Sequence, residues 1–444
     1  MNPRDVAWPA GIAAVLAWRY ASESLRHRRE HGDEGYSLHG EALHVRDEAF
    51  MATAEALTGA PVSTGDDVEL LVNGDEIFPA FLETIEGARR SINLLTYVYW
   101  RGDIATDVAQ ALCRKAKEGV EVNVLLDAIG TAKMERGIVD EMRDCGVRVA
   151  RFRPLKPYAI RRANNRTHRK ILVADGKGGM IGGVGIAEEW TGNAEDPDHW
   201  RDTHVRIRGP VVRGLQGAFA DNWLEATGEV LTGDAYLPDL EPLAGTTPRG
   251  ADGGGSRRGW SGGPMQVVRS AAGVGDTDVE ALYFLAIASA RESLALTAAY
   301  FAPRPAFVDA LTEAAERGVD VRILVPGPHI DKGFVRIAGR ATYDQLLDAG
   351  VRIWEYQPTM LHAKTLVIDG AWSSVGSVNF DNRSFQLHDE ATLCVQGERF
   401  AARLMEQFER DLEVSEEMRR GRFARRPPVH RAQERVLQLA RREL

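Results

Sequence analysis

Apolar and polar positions alternate along this chain in blocks that occur twice. The run SINLLTYVYW from Ser91 matches SLALTAAYFAP from Ser293. KEGVEVNVLLD from Lys117 matches ERGVDVRILVP from Glu316, and CGVRV from Cys145 matches AGVRI from Ala349. Short apolar runs of this kind predict strands. Between them lie amphipathic stretches, Asp103–Glu118 and Pro305–Arg317, that predict helices. The order predicts α/β architecture in two similar halves, about 68–228 and 265–415. The segment GTTPRGADGGGSRRGWSGG, 245–263, is Gly-rich and weakly apolar, and reads as a linker.

Each half ends in the same run of polar residues. HRKILVADGKGGMIGG starts at His168 and HAKTLVIDGAWSSVGS at His362, 194 residues later. Side chains two apart on a strand share a face. His168 and Lys170 therefore point one way, as do His362 and Lys364. Asp175-Gly176 and Asp369-Gly370 are tight-turn signals, so each copy reads as a strand, a turn and a return strand. The turn position gives the two Asp residues a structural role. Ser377 and Asn379 share a face of the second return segment; Gly183 occupies the place of Ser377 in the first. An imidazole, an ammonium and neutral hydrogen-bonding groups at one place suit phosphate chemistry. A single His-x-Lys is most simply a solvated strand face. Two copies with equal spacing are not.

The halves differ before the histidine. Gly146 lies 22 residues ahead of His168, but Gly350 only 12 ahead of His362. The extra residues fall in RFRPLKPYAIRRANNRTHRK, with Arg151, Arg153, Lys156, Arg161, Arg162, Arg166 and Arg169. This is either a basic loop receiving an anionic substrate or membrane surface, or an ordinary solvated loop.

On these residues the chain resembles the phospholipase D superfamily with two HKD motifs, and within it the bacterial cardiolipin synthases. The most specific stretch is LHAKTLVIDGAWSSVGSVNFDNRSFQLHDE, Leu361 to Glu390; HWRDTHVRIRGPVVRGLQGAFADNW from His199 is similar to the segment after the first motif. The resemblance implies a pseudo-twofold pair of domains, each a mixed sheet flanked by helices, with one active site between them. It implies a catalytic set of His168, Lys170, Asp175, His362, Lys364 and Asp369, with Ser377, Asn379, Glu390, Asp202 and Gly183 binding or orienting. It implies a two-step exchange through phosphohistidine, without cofactor or metal, in which Asp202 and Glu390 each hold an imidazole N–H. The family's tendency puts the nucleophile at His168. Two departures stand out. Gly185 lies where the family usually has Asn, and His388 where Asn is common.

The implied activity is phosphatidyl transfer making cardiolipin from phosphatidylglycerol. Hydrolysis to phosphatidic acid, a nuclease and a non-catalytic membrane scaffold are the alternatives. A net charge of −9 argues against a nucleic-acid surface. Three scattered cysteines, Cys113, Cys145 and Cys394, suggest no disulfide and a reducing compartment. Expected partners are a phospholipid and an anionic membrane, with a monomer at the cytoplasmic face.

Both ends bear on that membrane reading. Val6–Trp18 is apolar over about thirteen residues, short of the roughly 20 that span a bilayer. Arg19, Arg26, Arg28 and Arg29 follow it. It reads as an interfacial helix, a signal peptide without a good cleavage site, or a helix packed on the domain. The two spanning helices typical of the synthases are not seen. The basic stretch from Arg419 reads as a membrane-binding helix or one packed on the protein. The expected units are thus 1–66 (membrane-proximal), 67–244, 245–263 (linker), 264–418 and 419–444. His27 with His31, and His39 with His44, lack a third metal ligand. Tyr97, Tyr99, Trp100, Tyr300 and Phe301 end matching strands, and line either a lipid cleft or the core.

Overall fold

The computed structural model describes residues 36–40, 43–63, 66–154, 164–239, 260–261, 263–272 and 277–439. Val6–Trp18, its following arginines, the His27–His31 pair and most of the 245–263 linker lie outside them.

Each half builds one mixed sheet. The first has eight strands in the order Arg148–Phe152, Glu121–Asp127, Ser91–Thr96, Ile171–Ala174, Gly178–Gly182, Thr203–Arg208, Asp67–Val72, Trp260–Ser261. The second runs Met265–Ser270, His388–Gln396, Trp372–Gly376, Lys364–Ile368, Ser293–Ala298, Asp320–Pro326, Arg352–Tyr356, Ser415–Glu417. In both, three parallel strands joined through helices lie beside the antiparallel hairpin of the His-x-Lys motif. The predicted helices form at Asp103–Lys117 and Pro305–Glu316. Pro305 opens its helix at the first position, where a missing N–H costs nothing.

The two sheets share one apolar core. Leu95, Leu125, Ile171 and Ile181 of the first half pack in the same cluster as Ala295, Leu324, Val367 and Val375 of the second. Helices Val212–Thr227 and Glu398–Glu413 add Phe219, Trp223, Phe400 and Phe408 to it. Other helices cover the outer faces, with cores of their own.

Main chain also crosses between halves. Arg166–Thr167 pairs in parallel with His388–Asp389 of the second half. His168 N–H donates to the Asp389 carbonyl at 2.9 Å, and His362 N–H to the Arg201 carbonyl at 2.7 Å. Each motif histidine is therefore fixed to the residue preceding the other half's carboxylate.

The hairpin turns show why Asp follows each strand. Asp175 and Asp369 have φ of 56° and 51°, a conformation Asp tolerates better than most residues. Their carboxylates accept backbone N–H bonds from Arg89, Arg90 and Ser91, and from Arg291, Glu292 and Ser293. Each ties its turn to the start of the neighbouring strand.

Several expectations need adjustment. Cys113 and Cys145 form a disulfide, so the reading of three unpaired cysteines fails; only Cys394 is free. Spacing alone could not show that a helix and the residue ending the next helix meet. Within 1–66, helix Glu48–Thr58 buries Phe50, Met51 and Ala54 in the second half's core. Trp260–Ser261, inside the expected linker, extends the first sheet. Near the C-terminus, helix Pro428–Leu439 packs on helix Gly333–Arg340. Arg426 joins Asp344 to Glu434 there, which favours the packed reading of this basic stretch. Among the described residues, no helix is long and apolar enough to cross a membrane.

Asp369 is buried and Asp175 only half-buried. Asp369→Ala is expected to lower unfolding free energy by about 1–3 kcal/mol, because donors lose their acceptor. Asp175→Ala should cost less. Denaturant titration of the two variants checks this; wild-type stability in Asp369→Ala would remove the turn's assigned role.

Candidate active site

The motif strands end where the two sheets meet, and their polar side chains gather there. His168, Lys170, His362 and Lys364 are all buried. Each imidazole is held by the carboxylate of the opposite half. His168 Nδ1 lies 3.1 Å from Glu390 Oε1, and His362 Nδ1 lies 2.7 Å from Asp202 Oδ2. A ring whose Nδ1–H is engaged in this way presents Nε2 for chemistry.

The carboxylates are held in turn. Glu390 accepts from the Ser377 hydroxyl, and from Ser384 Oγ at 2.7 Å. Asp202 accepts from Trp190 Nε1 at 2.9 Å and Thr203 N–H at 2.7 Å. Gly183 lies against Asp202, where a Cβ would collide with the carboxylate. Gly183 thus makes room for the carboxylate, while its counterpart Ser377 donates to one.

Burial sets the electrostatics. It holds both imidazoles well below their ordinary value, with the nearby lysines adding to the effect. Burial and Lys364 push Lys170 down to about 7. Burial pushes Lys364 down to about 8 against the pull of Asp202. Asp202 is raised by burial, opposed by Lys364. Lys170 Nζ donates to the His168 carbonyl at 2.7 Å, and Lys364 Nζ sits 3.0 Å from His362 Nδ1. Two poorly solvated ammonium groups beside two neutral imidazoles form a ready anion site.

Aromatic rings wall it. Tyr97 meets His168 edge-on at 5.2 Å. Trp190, Trp200 and Tyr300 surround His362 at 5.2, 5.6 and 6.3 Å. Of the strand-end aromatics, Tyr97 and Tyr300 reach the site. Tyr99 is core, its hydroxyl on the Ala105 carbonyl. Phe301 stacks on Phe380, and Trp100 bonds the Gly130 carbonyl.

Asp175 and Asp369, grouped with the catalytic set by their motif, stand at the far ends of the hairpins. About seven residues of strand, roughly 20 Å, separate them from the histidines. They hold turns. Asn379 is buried at the site, with Oδ1 unpartnered among the described residues. Its counterpart Gly185 has no room for a side chain: a Cβ would lie 2.7 Å from Val98 Cβ and 3.1 Å from Trp190 Cζ3. The missing amide has been replaced by packing.

The reading of the basic loop is corrected at four of its seven residues. Arg166 pairs with buried Asp127, and Arg169 donates to the carbonyls of Glu390, Ala218 and Ser270. Arg153 pairs with Glu225, and Arg151 bonds Thr131. These four are structural; Lys156, Arg161 and Arg162 lie outside the described residues. Sequence reading missed Ser384, although it belongs to the D-x-RS run, and Trp190, which no motif marks. It also missed Lys332, whose ammonium lies 4.5 Å over the Tyr300 ring and whose charge reaches both imidazoles.

Among the described residues, two groups bring three metal-type ligand atoms within 4.8 Å: His168, His388, Glu390 and Glu195, Asp196, His199. In the first, the Glu390 oxygens already accept from His168, Ser377 and Ser384. That carboxylate is thus already committed to hydrogen bonds.

This fold, with crossed His/Lys sets in one cleft, defines a phospholipase D-like enzyme of the phosphatidyltransferase class. A family model described as cardiolipin synthase, phospholipase D-like domain, matches residues 81–197 and 283–412. Cardiolipin synthase 2 of Bacillus anthracis is 34% identical over 396 residues, covering 89% of this chain and 74% of the relative. Cardiolipin synthase of Geobacillus thermodenitrificans is 36% identical over 369 residues, covering 83% and 70%. Phosphatidylserine synthase from Haemophilus influenzae superposes with a TM-score of 0.64 at 14% identity, covering 89% of this chain and all of that one; it supports the fold. The chain belongs to the cardiolipin synthase family of phospholipase D-like proteins.

The lysines yield a pH signature. Both are less basic folded than unfolded, where Lys titrates near 10.4. The unfolded chain holds more protons between about pH 7 and 10, so stability rises with pH in that window. The Tm of lipid-free protein should climb from about pH 7 to 9, and Lys170→Met/Lys364→Met should flatten the climb. Identical profiles for the two proteins would mean that the lysines titrate normally.

Proposed function

We propose that the chain transfers a phosphatidyl group between two phosphatidylglycerol molecules, giving cardiolipin and glycerol. The crossed His–carboxylate pairs carry this reading. Two oriented, buried imidazoles at one anion site suit an exchange in which one attacks while the other moves the proton.

In the first step Nε2 of one histidine attacks phosphorus. The P–N bond forms, the P–O bond to the headgroup glycerol breaks, and the second imidazole, protonated once the phosphate anion binds beside it, gives its proton to the departing oxygen. In the second step that imidazole takes the proton from a hydroxyl of the incoming phosphatidylglycerol. The freed oxygen attacks phosphorus and the P–N bond breaks. Lys170 and Lys364 hold the non-bridging oxygens throughout, with Asn379 as a neutral donor. Attack is assigned to His168 and proton transfer to His362, following the family's tendency. Aromatic walls around His362 limit water near the reacting alcohol, which favours transfer over hydrolysis.

Lipid substrates imply work at a membrane surface, and we place the protein at the cytoplasmic face. It would be held peripherally or through the apolar segment 6–18. Both halves of the site lie on one chain, which is consistent with a functional monomer.

Purified protein with phosphatidylglycerol vesicles should produce cardiolipin and glycerol; phosphatidic acid alone would overturn the transferase reading. His168→Ala and His362→Ala should each reduce turnover by more than about a thousandfold, since both act in every cycle. Retained activity in either would sink the two-histidine mechanism. A trapped phosphopeptide bearing His362 would reverse the two roles.

A further inference from the structure

Two residues before each site carboxylate, a ring lies beside the histidine that the carboxylate holds. In the first half this is Trp200, two before Asp202, with its ring 5.6 Å from His362 and tilted 39°. In the second half it is His388, two before Glu390, with its ring 5.4 Å from His168 and tilted 33°. His388 and Glu390 share a face of strand His388–Gln396, so His388 is directed at the site by the register that directs Glu390. The positions are pseudo-symmetric, but one ring is apolar and the other polar.

His388 is only 9% exposed, and neither ring nitrogen has a hydrogen-bond partner among the described residues. Nδ1 stands 3.8 Å from Glu390 Oε1, beyond hydrogen-bond reach. Burial outweighs the pull of the Glu390 carboxylate and, with His168 and Arg383 adding to it, keeps the ring neutral, its pKa down to about 3. A neutral imidazole offers one donor and one acceptor. Leaving both unmet in a buried place is costly, and calls for a partner that arrives later. A phenyl ring would have filled the space without that cost.

We propose that His388 binds a non-reacting hydroxyl of the glycerol headgroup, and so makes the site selective for polyol acceptors over simple alcohols. As the acceptor headgroup, glycerol is esterified at one oxygen and reacts at another, which leaves one hydroxyl to be recognised; free glycerol leaves two. One ring nitrogen of His388 can donate to that hydroxyl or accept from it. The side chain acts by positioning the acceptor and moves no proton in the exchange. The proposal rests on the transferase reading above.

Competition between two acceptors tests it. Full-length protein is given phosphatidylglycerol vesicles with equal concentrations of deuterated glycerol and 1-propanol, which has the same three carbons without the extra hydroxyls. The ratio of the two phosphatidyl products is read by mass spectrometry. Because the acceptors compete in one tube, the ratio does not depend on how much of a variant folds. Wild type should favour glycerol. His388→Ala and His388→Phe should each lose about tenfold of that preference, the scale of one hydrogen bond. His388→Asn, which keeps a donor and an acceptor, should recover most of it. A wild type indifferent between the alcohols, or wild-type ratios in both His388→Ala and His388→Phe, overturns the hydroxyl site alone. Phosphatidic acid as the sole wild-type product overturns the transferase reading and the hydroxyl site with it.

Discussion

The structure depends on an exchange of partners between its halves. Each motif histidine takes its main-chain acceptor and its carboxylate from the opposite half. Neither motif imidazole takes its carboxylate from its own repeat. The shared apolar core between the sheets brings the surfaces together, but the crossed bonds set their register to the precision that in-line chemistry needs. Because backbone and side-chain contacts coincide at each crossing, a shift of either half would break both at once.

Burial then does the electrostatic tuning. The same exclusion of water that lowers the histidines also lowers the two lysines. Two cations held out of water at one place favour an anionic phosphate between them. The halves contribute unequally. Around His362 the wall is aromatic; beside His168 it includes a polar ring. The amide of the second half has no counterpart in the first, where Val98 and Trp190 fill the space around Gly185. The duplication kept the groups that must act as a pair and let the surrounding shell diverge.

Much of this was legible from letters. Matching apolar runs exposed two α/β halves, and strand parity put His168 with Lys170 and His362 with Lys364. The Asp-Gly turns predicted structural carboxylates, as the six backbone N–H groups that donate to Asp175 and Asp369 bear out. What depended on docking was hidden. Either carboxylate could have held either histidine until the halves were brought together. Arg166 and Arg169 read as a solvated basic loop because a charged letter does not reveal the carbonyls that satisfy it. Tyr97 and Tyr99 have the same parity, but their strand ends at Thr96. Beyond that point alternation no longer says which ring faces the cleft. The Cys113–Cys145 bond likewise needed a tertiary distance.

The crossed pairing also governs when the chemistry can begin. As the chain leaves the ribosome, His168 and Lys170 emerge more than 200 residues before the carboxylate that orients that histidine. A first half that has folded alone carries a histidine with no fixed tautomer and a lysine with no phosphate site to serve. The two carboxylates can hold their histidines only once both halves are present and docked. Completion of the fold is thus also completion of the site: a chain that stops short of Glu390 lacks the group that holds His168.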